Sequence, residues 1–131
     1  MRVLALDYGR ARCGCAVSDP TGTIATPLDV IASPATRRGT AAIAELAATV
    51  GAERILVGLP IGLDGRDTDQ TRETREFATR LARRVGSGIP VQLHDERLTT
   101  RMAQRFGDGA TTAEDSRAAA HLLESWLAVA R

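Results

Sequence analysis

Residues 54–58, RILVG, carry no polar side chain after the arginine. A strand with one face in water alternates polar and apolar residues, so a run without alternation has to be covered on both faces. Helices are the usual cover, and a chain of 131 residues is long enough to supply them around one core. This short run therefore points to a layered α/β fold containing a parallel strand.

The flanking segments agree. Residues 2–8 (RVLALDY), 13–18 (CGCAVS) and 23–31 read as strands. Turns at 9–12 and 19–22 join them into an antiparallel meander. Pro27 predicts an edge or irregular place for the third strand. Residues 37–50 suit a helix, with Ile43, Leu46, Ala47 and Val50 at helical spacing and Gly51 where a C-cap belongs. After 54–58 come a Gly- and Pro-rich loop at 59–66 and a charged helix at 68–85. Its Arg72–Glu76 and Glu76–Arg80 spacings predict a solvated, ion-paired face. A fifth strand at 91–94, a helix at 99–106 and a last helix at 112–130 follow. The expected architecture is a mixed five-stranded sheet, three antiparallel strands and then parallel ones, flanked by helices in one domain over 1–131.

Composition removes several kinds of function. No run of about 18 apolar residues predicts a membrane span, and the N-terminus lacks the pattern of a secretory signal, so a cytoplasmic location is expected. All 17 basic residues are arginine, which excludes lysine nucleophiles and Schiff bases. Cys13 and Cys15 face the same way on a strand and read as small buried thiols of a reduced compartment. The net charge of +1 neither favours nor opposes nucleic acid as a partner.

Acids stand where a plain core would not place them. Asp7 interrupts the apolar first strand, and an unpartnered buried carboxylate costs several kcal/mol or neutralises. His94, Asp95 and Glu96 end a strand expected to lie beside the buried one, where sheets of this kind bind ligands. Periodicity does not choose between Asp95 and Glu96. Thr111 to Glu114 fits a helix capping box. Asp115 instead shares a helix face with Ala119, Leu122 and Trp126, so its carboxylate is expected to face the sheet. Three enclosed carboxylates need a counter-charge. Without lysine or a Cys/His cluster, a hard divalent cation such as Mg²⁺ or Mn²⁺ is expected. Two such ions about 3.5–4 Å apart serve in-line phosphoryl displacement.

"LALDYGRARCGCAVSD", "ILVGLPIGLDG", "HDERLTT" with Ala103, and "EDSRAAAHLLESWL" occur in this order and spacing. In that combination the chain resembles the YqgF/RuvX family, which has the RNase H-like fold. Its members are described as Holliday junction resolvases and as nucleases maturing the 5′ end of pre-16S ribosomal RNA. The resemblance implies a metal-dependent nuclease with Asp7, Glu96 and Asp115 as catalytic metal ligands, which selects Glu96 over Asp95. It also implies a 58–65 loop beside the site. Family members often carry a basic run before the last-helix acid, and here "GDGATTAED" has none. Phosphate contacts are therefore expected from Arg10 and Arg12 on the first turn, and from Arg97, Arg101 and Arg105 at four-residue spacing.

Two other classes compete. "LDYGRARCG" also looks like the first phosphate loop of the actin and sugar-kinase superfamily, which closes two such domains around ATP. A nucleic-acid-binding adaptor without chemistry would suit the missing basic run. The expected partner is nucleic acid, either pre-rRNA or branched DNA, with no membrane. A monomer suits RNA trimming, and a homodimer suits junction cutting.

Overall fold

A computed structural model describes residues 1–98 and 116–130. Five strands, β1 (Val3–Asp7), β2 (Arg12–Ser18), β3 (Ala25–Ala32), β4 (Arg54–Leu59) and β5 (Val91–Asp95), form one sheet in the order β3-β2-β1-β4-β5. β2 runs antiparallel to both β1 and β3, whereas β4 and β5 continue parallel to β1. This is the expected mixed sheet, with β1 at its centre.

α1 (Arg37–Val50) and α2 (Asp69–Val85) cover one face, and α3 (Arg117–Ala130) covers the other. Alternation along the strands sorts the core accordingly. Leu4, Leu6, Ile55 and Val57 pack with Ile43, Phe77 and Leu81. Val3, Ala5, Ala16 and Leu56 pack with Leu122, Leu123 and Leu127. β1 and β4 are thus buried on both faces, as their unbroken apolar runs require. Cys13 and Cys15 are both buried free thiols on the α1/α2 side.

The caps fall where side-chain chemistry puts them. Thr36 caps α1 by accepting from the Gly39 N–H, and Gly51 closes it in the left-handed region at φ 71°. Thr68 and Thr71 cap α2 reciprocally. The outer face of α2 is solvated as expected, with different pairings: Arg72 pairs with Asp69 and Arg75 with Asp67. Arg80 donates to the Ala35 carbonyl at 2.6 Å. The nearer acid, or a carbonyl within reach, wins over the i,i+4 carboxylate. The helix expected at 99–106 and the capping box at Thr111 lie outside the described residues. Among the described residues no helix is long and apolar enough to cross a membrane.

β3 begins two residues later than the strand expected at 23–31, because the preceding turn is longer. Asp19 Oδ1 accepts from the N–H groups of Thr23 (2.7 Å) and Ile24 (2.8 Å), and Asp19 Oδ2 accepts from the Thr21 hydroxyl. The Ile24 N–H above all, then the Thr21 hydroxyl, hold the Asp19 carboxyl far below its ordinary range. A depressed carboxyl stabilises the fold above its unfolded value, about pH 4, and that contribution is withdrawn as pH falls. Asp19→Asn should therefore flatten the loss of stability between roughly pH 5 and pH 2, measured as urea midpoints beside wild type.

Candidate functional site

Asp7 ends β1 at the sheet's carboxyl edge and is only 6% exposed. Val3 and Ala5 face α3, so alternation turns Asp7 to the α3 side as well. Its antiparallel partner on β2 is Gly14. On β4, Leu6 pairs with Val57, which sets Gly58 level with Asp7. The buried carboxylate therefore stands between two residues without side chains. Room is left on the one stretch of sheet where an apolar side chain would otherwise fill it.

Glu96 arrives from β5. Gly58 pairs with His94 and Leu59 with Asp95, and the chain then turns into a short 3-10 helix, Glu96–Leu98. A Cβ built on Gly58 would lie 2.7 Å from Glu96 Oε1 and 3.0 Å from Leu122 Cδ2. The Glu96 carboxylate thus occupies the space above Gly58, one strand from Asp7, under α3. Neighbouring strands are about 4.8 Å apart, so the two acids converge over the ends of β1 and β4.

Asp95 has another task. It shares the α1/α2 side with Leu93 and Val91 by alternation. It also accepts from the Arg97 backbone N–H (2.9 Å) and from the Arg97 guanidinium (Nη2 to Oδ2, 2.7 Å). The Arg97 hydrogen bond holds its carboxyl below the usual range. The two carboxylates thus do different things in the structure: Asp95 closes the turn, and Glu96 lies over Gly58.

Asp115 and Arg101 lie outside the described residues. Ser116, the residue after Asp115, is fully buried, and its Oγ accepts from the Cys15 N–H at 2.9 Å. The β2–β3 register slips between Cys13 and Cys15, and an amide at such a slip needs a partner beyond the ladder. Ser116 supplies it, tying the start of the last helix to β2 beside Gly14. Nothing in the sequence distinguished Ser116 from an ordinary helix-start serine. Gly14, between two buried cysteines, carried a readable signal, since a glycine weakens a strand unless something approaches it closely.

The arginines expected at the site are placed as follows. Arg10, on the β1–β2 turn, pairs with Glu73 of α2 (Nη2 to Oε1, 2.6 Å), and Glu73 also accepts from the Tyr8 hydroxyl at 2.7 Å. Burial, and next the Glu73 bond, push the Tyr8 phenol up to about 12. Arg12 opens β2 and is half-buried. Arg97 is held by Asp95 as above. The 59–66 loop folds on itself, Gly62 N–H donating to the Arg66 carbonyl at 2.9 Å. At Gly65 it approaches Arg97, where an added Cβ would stand 3.8 Å from Arg97 Nη1.

His94 shares the Asp7 face, opposite Gly58. Its Nε2 is buried with no hydrogen-bond partner among the described residues, and burial draws its pKa below the ordinary value. No group of three or more His, Cys, Asp or Glu gathers among the described residues. Asp7 and Glu96 alone offer hard oxygen donors over a glycine floor. That donor set suits a divalent cation of the Mg²⁺ type rather than zinc or copper.

Comparisons with known proteins show the family and the fold. The family model described as "RuvX: Holliday junction resolvase" matches residues 1–129. A Mycobacterium tuberculosis protein named "Putative pre-16S rRNA nuclease" is 41% identical, over 96% of this chain and 78% of its own. One of the same name from Maridesulfovibrio salexigens is 37% identical over 98% of both chains. Among solved structures, Thermus thermophilus RuvC in complex with a Holliday junction substrate superposes with a TM-score of 0.60 at 16% identity. That match covers 99% of this chain and 96% of the other. The structural likeness shows a shared RNase H-like fold.

Gly58→Ala tests the pocket directly. The carboxylate end of Glu96 can swing away from the new methyl, while Leu122 gives a few tenths of an ångström. Stability should fall by only about 1–2 kcal/mol. If the pocket takes a cation, Mn²⁺ should raise the wild-type Tm, and that rise should shrink or vanish in the variant. Thermal unfolding with and without Mn²⁺ reads both.

Proposed function

The chain belongs to the RuvX family, and from that membership we propose that it is a metal-dependent endonuclease hydrolysing phosphodiester bonds of structured nucleic acid. The substrate that the relatives' names favour is pre-16S rRNA, and the reaction we propose is processing of its 5′ end. The family description favours a four-way DNA junction as the alternative. The observation that carries the reading is the placement of Asp7 at the carboxyl end of β1 and of Glu96, after β5, over Gly58 on the β4 strand between them.

Asp7 and Glu96 are the proposed metal ligands, and Asp115 the third. That third assignment rests on the family resemblance of the segment around Asp115. Bound there, one or two Mg²⁺ or Mn²⁺ ions supply Lewis-acid charge to the phosphate and lower the pKa of water. The protein's own part is positional. Asp7 is buried at the end of β1, and the glycine at 58 leaves room for the Glu96 side chain beside it. Arg10, Arg12, Arg97 and Arg101 are the proposed contacts to the backbone flanking the cut. Arg10 and Arg97 are each steered by a carboxylate, which orders the guanidinium and weakens its net charge. Contacts of this type position a substrate without reading its sequence. A cytoplasmic monomer suffices for RNA trimming, whereas a junction calls for a two-fold pair.

Purified protein should cut a labelled pre-rRNA leader or a four-way junction in Mg²⁺ or Mn²⁺ and be inert in EDTA. Asp7→Asn and Glu96→Gln should each lower the rate by about a thousandfold or more while keeping the wild-type far-UV spectrum. An Asp7→Asn protein that cuts at wild-type rate would end the assignment.

A further inference from the structure

The charge ledger of the described arginines is uneven. Arg10, Arg66, Arg72, Arg75 and Arg97 each pair with a carboxylate. Arg37 and Arg38 are exposed and make no ion pair among the described residues. They occupy the first turn of α1, which carries no acid. Positive charge is unfavourable at that end of a helix, so helix stability does not account for them. Arg80 brings a third guanidinium to the same place from α2, bonded to the Ala35 carbonyl at 2.6 Å rather than to an acid. The closest carboxylate along α2, Glu76, is one turn before Arg80 and forms no ion pair with it among the described residues.

Topology sets this cluster at the edge that holds Asp7. β3 runs parallel to β1, so the chain leaves β3 at the sheet's carboxyl end. Ala32 pairs with Arg12, and the Ser33 N–H donates to the Ala11 carbonyl at 2.9 Å. The turn into α1 is braced. The Thr36 hydroxyl donates to the Ser33 carbonyl at 2.7 Å and accepts from the Gly39 N–H at 3.0 Å. β3 lies two strand spacings from β1, on the order of 10 Å in the plane of the sheet, and α1 then packs on the face opposite the one to which Asp7 turns. Arg10 and Arg12 lie at the β1–β2 turn.

We propose that Arg37, Arg38 and Arg80 form a second phosphate-binding anchor. It takes the sugar-phosphate backbone of the nucleic acid beyond the cut, on the β3 side of the sheet, and the β1–β2 turn connects it to the proposed active site. It rests on the nuclease reading for its ligand, not for its geometry. The anchor contributes affinity and register, and no chemistry.

The test compares the full wild-type chain with Arg37→Ala/Arg38→Ala and Arg37→Lys/Arg38→Lys. Binding to a labelled stem-loop RNA and to a four-way DNA junction is measured in EDTA from about 50 to 200 mM salt, with cleavage in Mn²⁺ alongside. Loss of two phosphate contacts should reduce the slope of log K against log salt by about 1.4–1.8. The lysine pair should restore it, since charge rather than fork geometry does the work. The alanine pair should raise KM and leave kcat at saturation unchanged. An alanine pair with wild-type slope and affinity overturns the anchor, even if the protein cuts normally. A slope that falls in a protein that never cuts supports the anchor and overturns the nuclease reading. A wild type that binds neither nucleic acid overturns both.

Discussion

A carboxylate buried in the middle strand of a sheet is the condition around which this molecule is arranged. Asp7 cannot be left against apolar neighbours, since its desolvation costs several kcal/mol unless something shares the charge. Each nearby departure from an ordinary core answers that demand. Gly14 and Gly58 remove the side chains that would press on it. Glu96 is delivered into the gap above Gly58 by the turn after β5. Packing alone would have preferred valine or isoleucine at all four positions. The proposed cation site would account for these departures.

The sheet was readable because its signals are local and redundant. The unbroken apolar runs of β1 and β4, the turn at Asp19 and the cap at Gly51 each point the same way. The boundary of β3 was not readable, because it depends on where one carboxylate finds its donors: Asp19 reaches Ile24 and so delays the strand. The site was half legible. An acid inside an apolar strand announces itself, and Asp7 did. Choosing Glu96 over Asp95 from periodicity fails because the turn after β5 breaks the alternation. Only the Arg97 contact shows which carboxylate is already engaged. The Ser116 contact was invisible, since it joins positions 101 residues apart through a single hydroxyl.

Arginine is the chain's only strong cation, and among the described residues Arg10, Arg66, Arg72, Arg75 and Arg97 are held by acids while Arg37 and Arg38 are not. That division matters for specificity. Paired guanidiniums keep their direction and lose part of their reach in solution. Unpaired ones attract a polyanion over about a Debye length. A surface that mixes both can gather nucleic acid weakly from solution and still align it only at one edge. The aromatic content is too low for base stacking to do this instead.

The bond from Cys15 to Ser116 also governs when the molecule can be finished. A chain made from its N-terminus has β1, β2 and β3 available early, but the Cys15 amide has no side-chain acceptor until Ser116 has been added, 101 residues later. At about 5–20 residues per second that wait lasts roughly 5–20 s. Until then the face of β1 and β2 that α3 covers is open, and with it the room beside Asp7. Completion of the pocket is thus among the last events in the making of the protein.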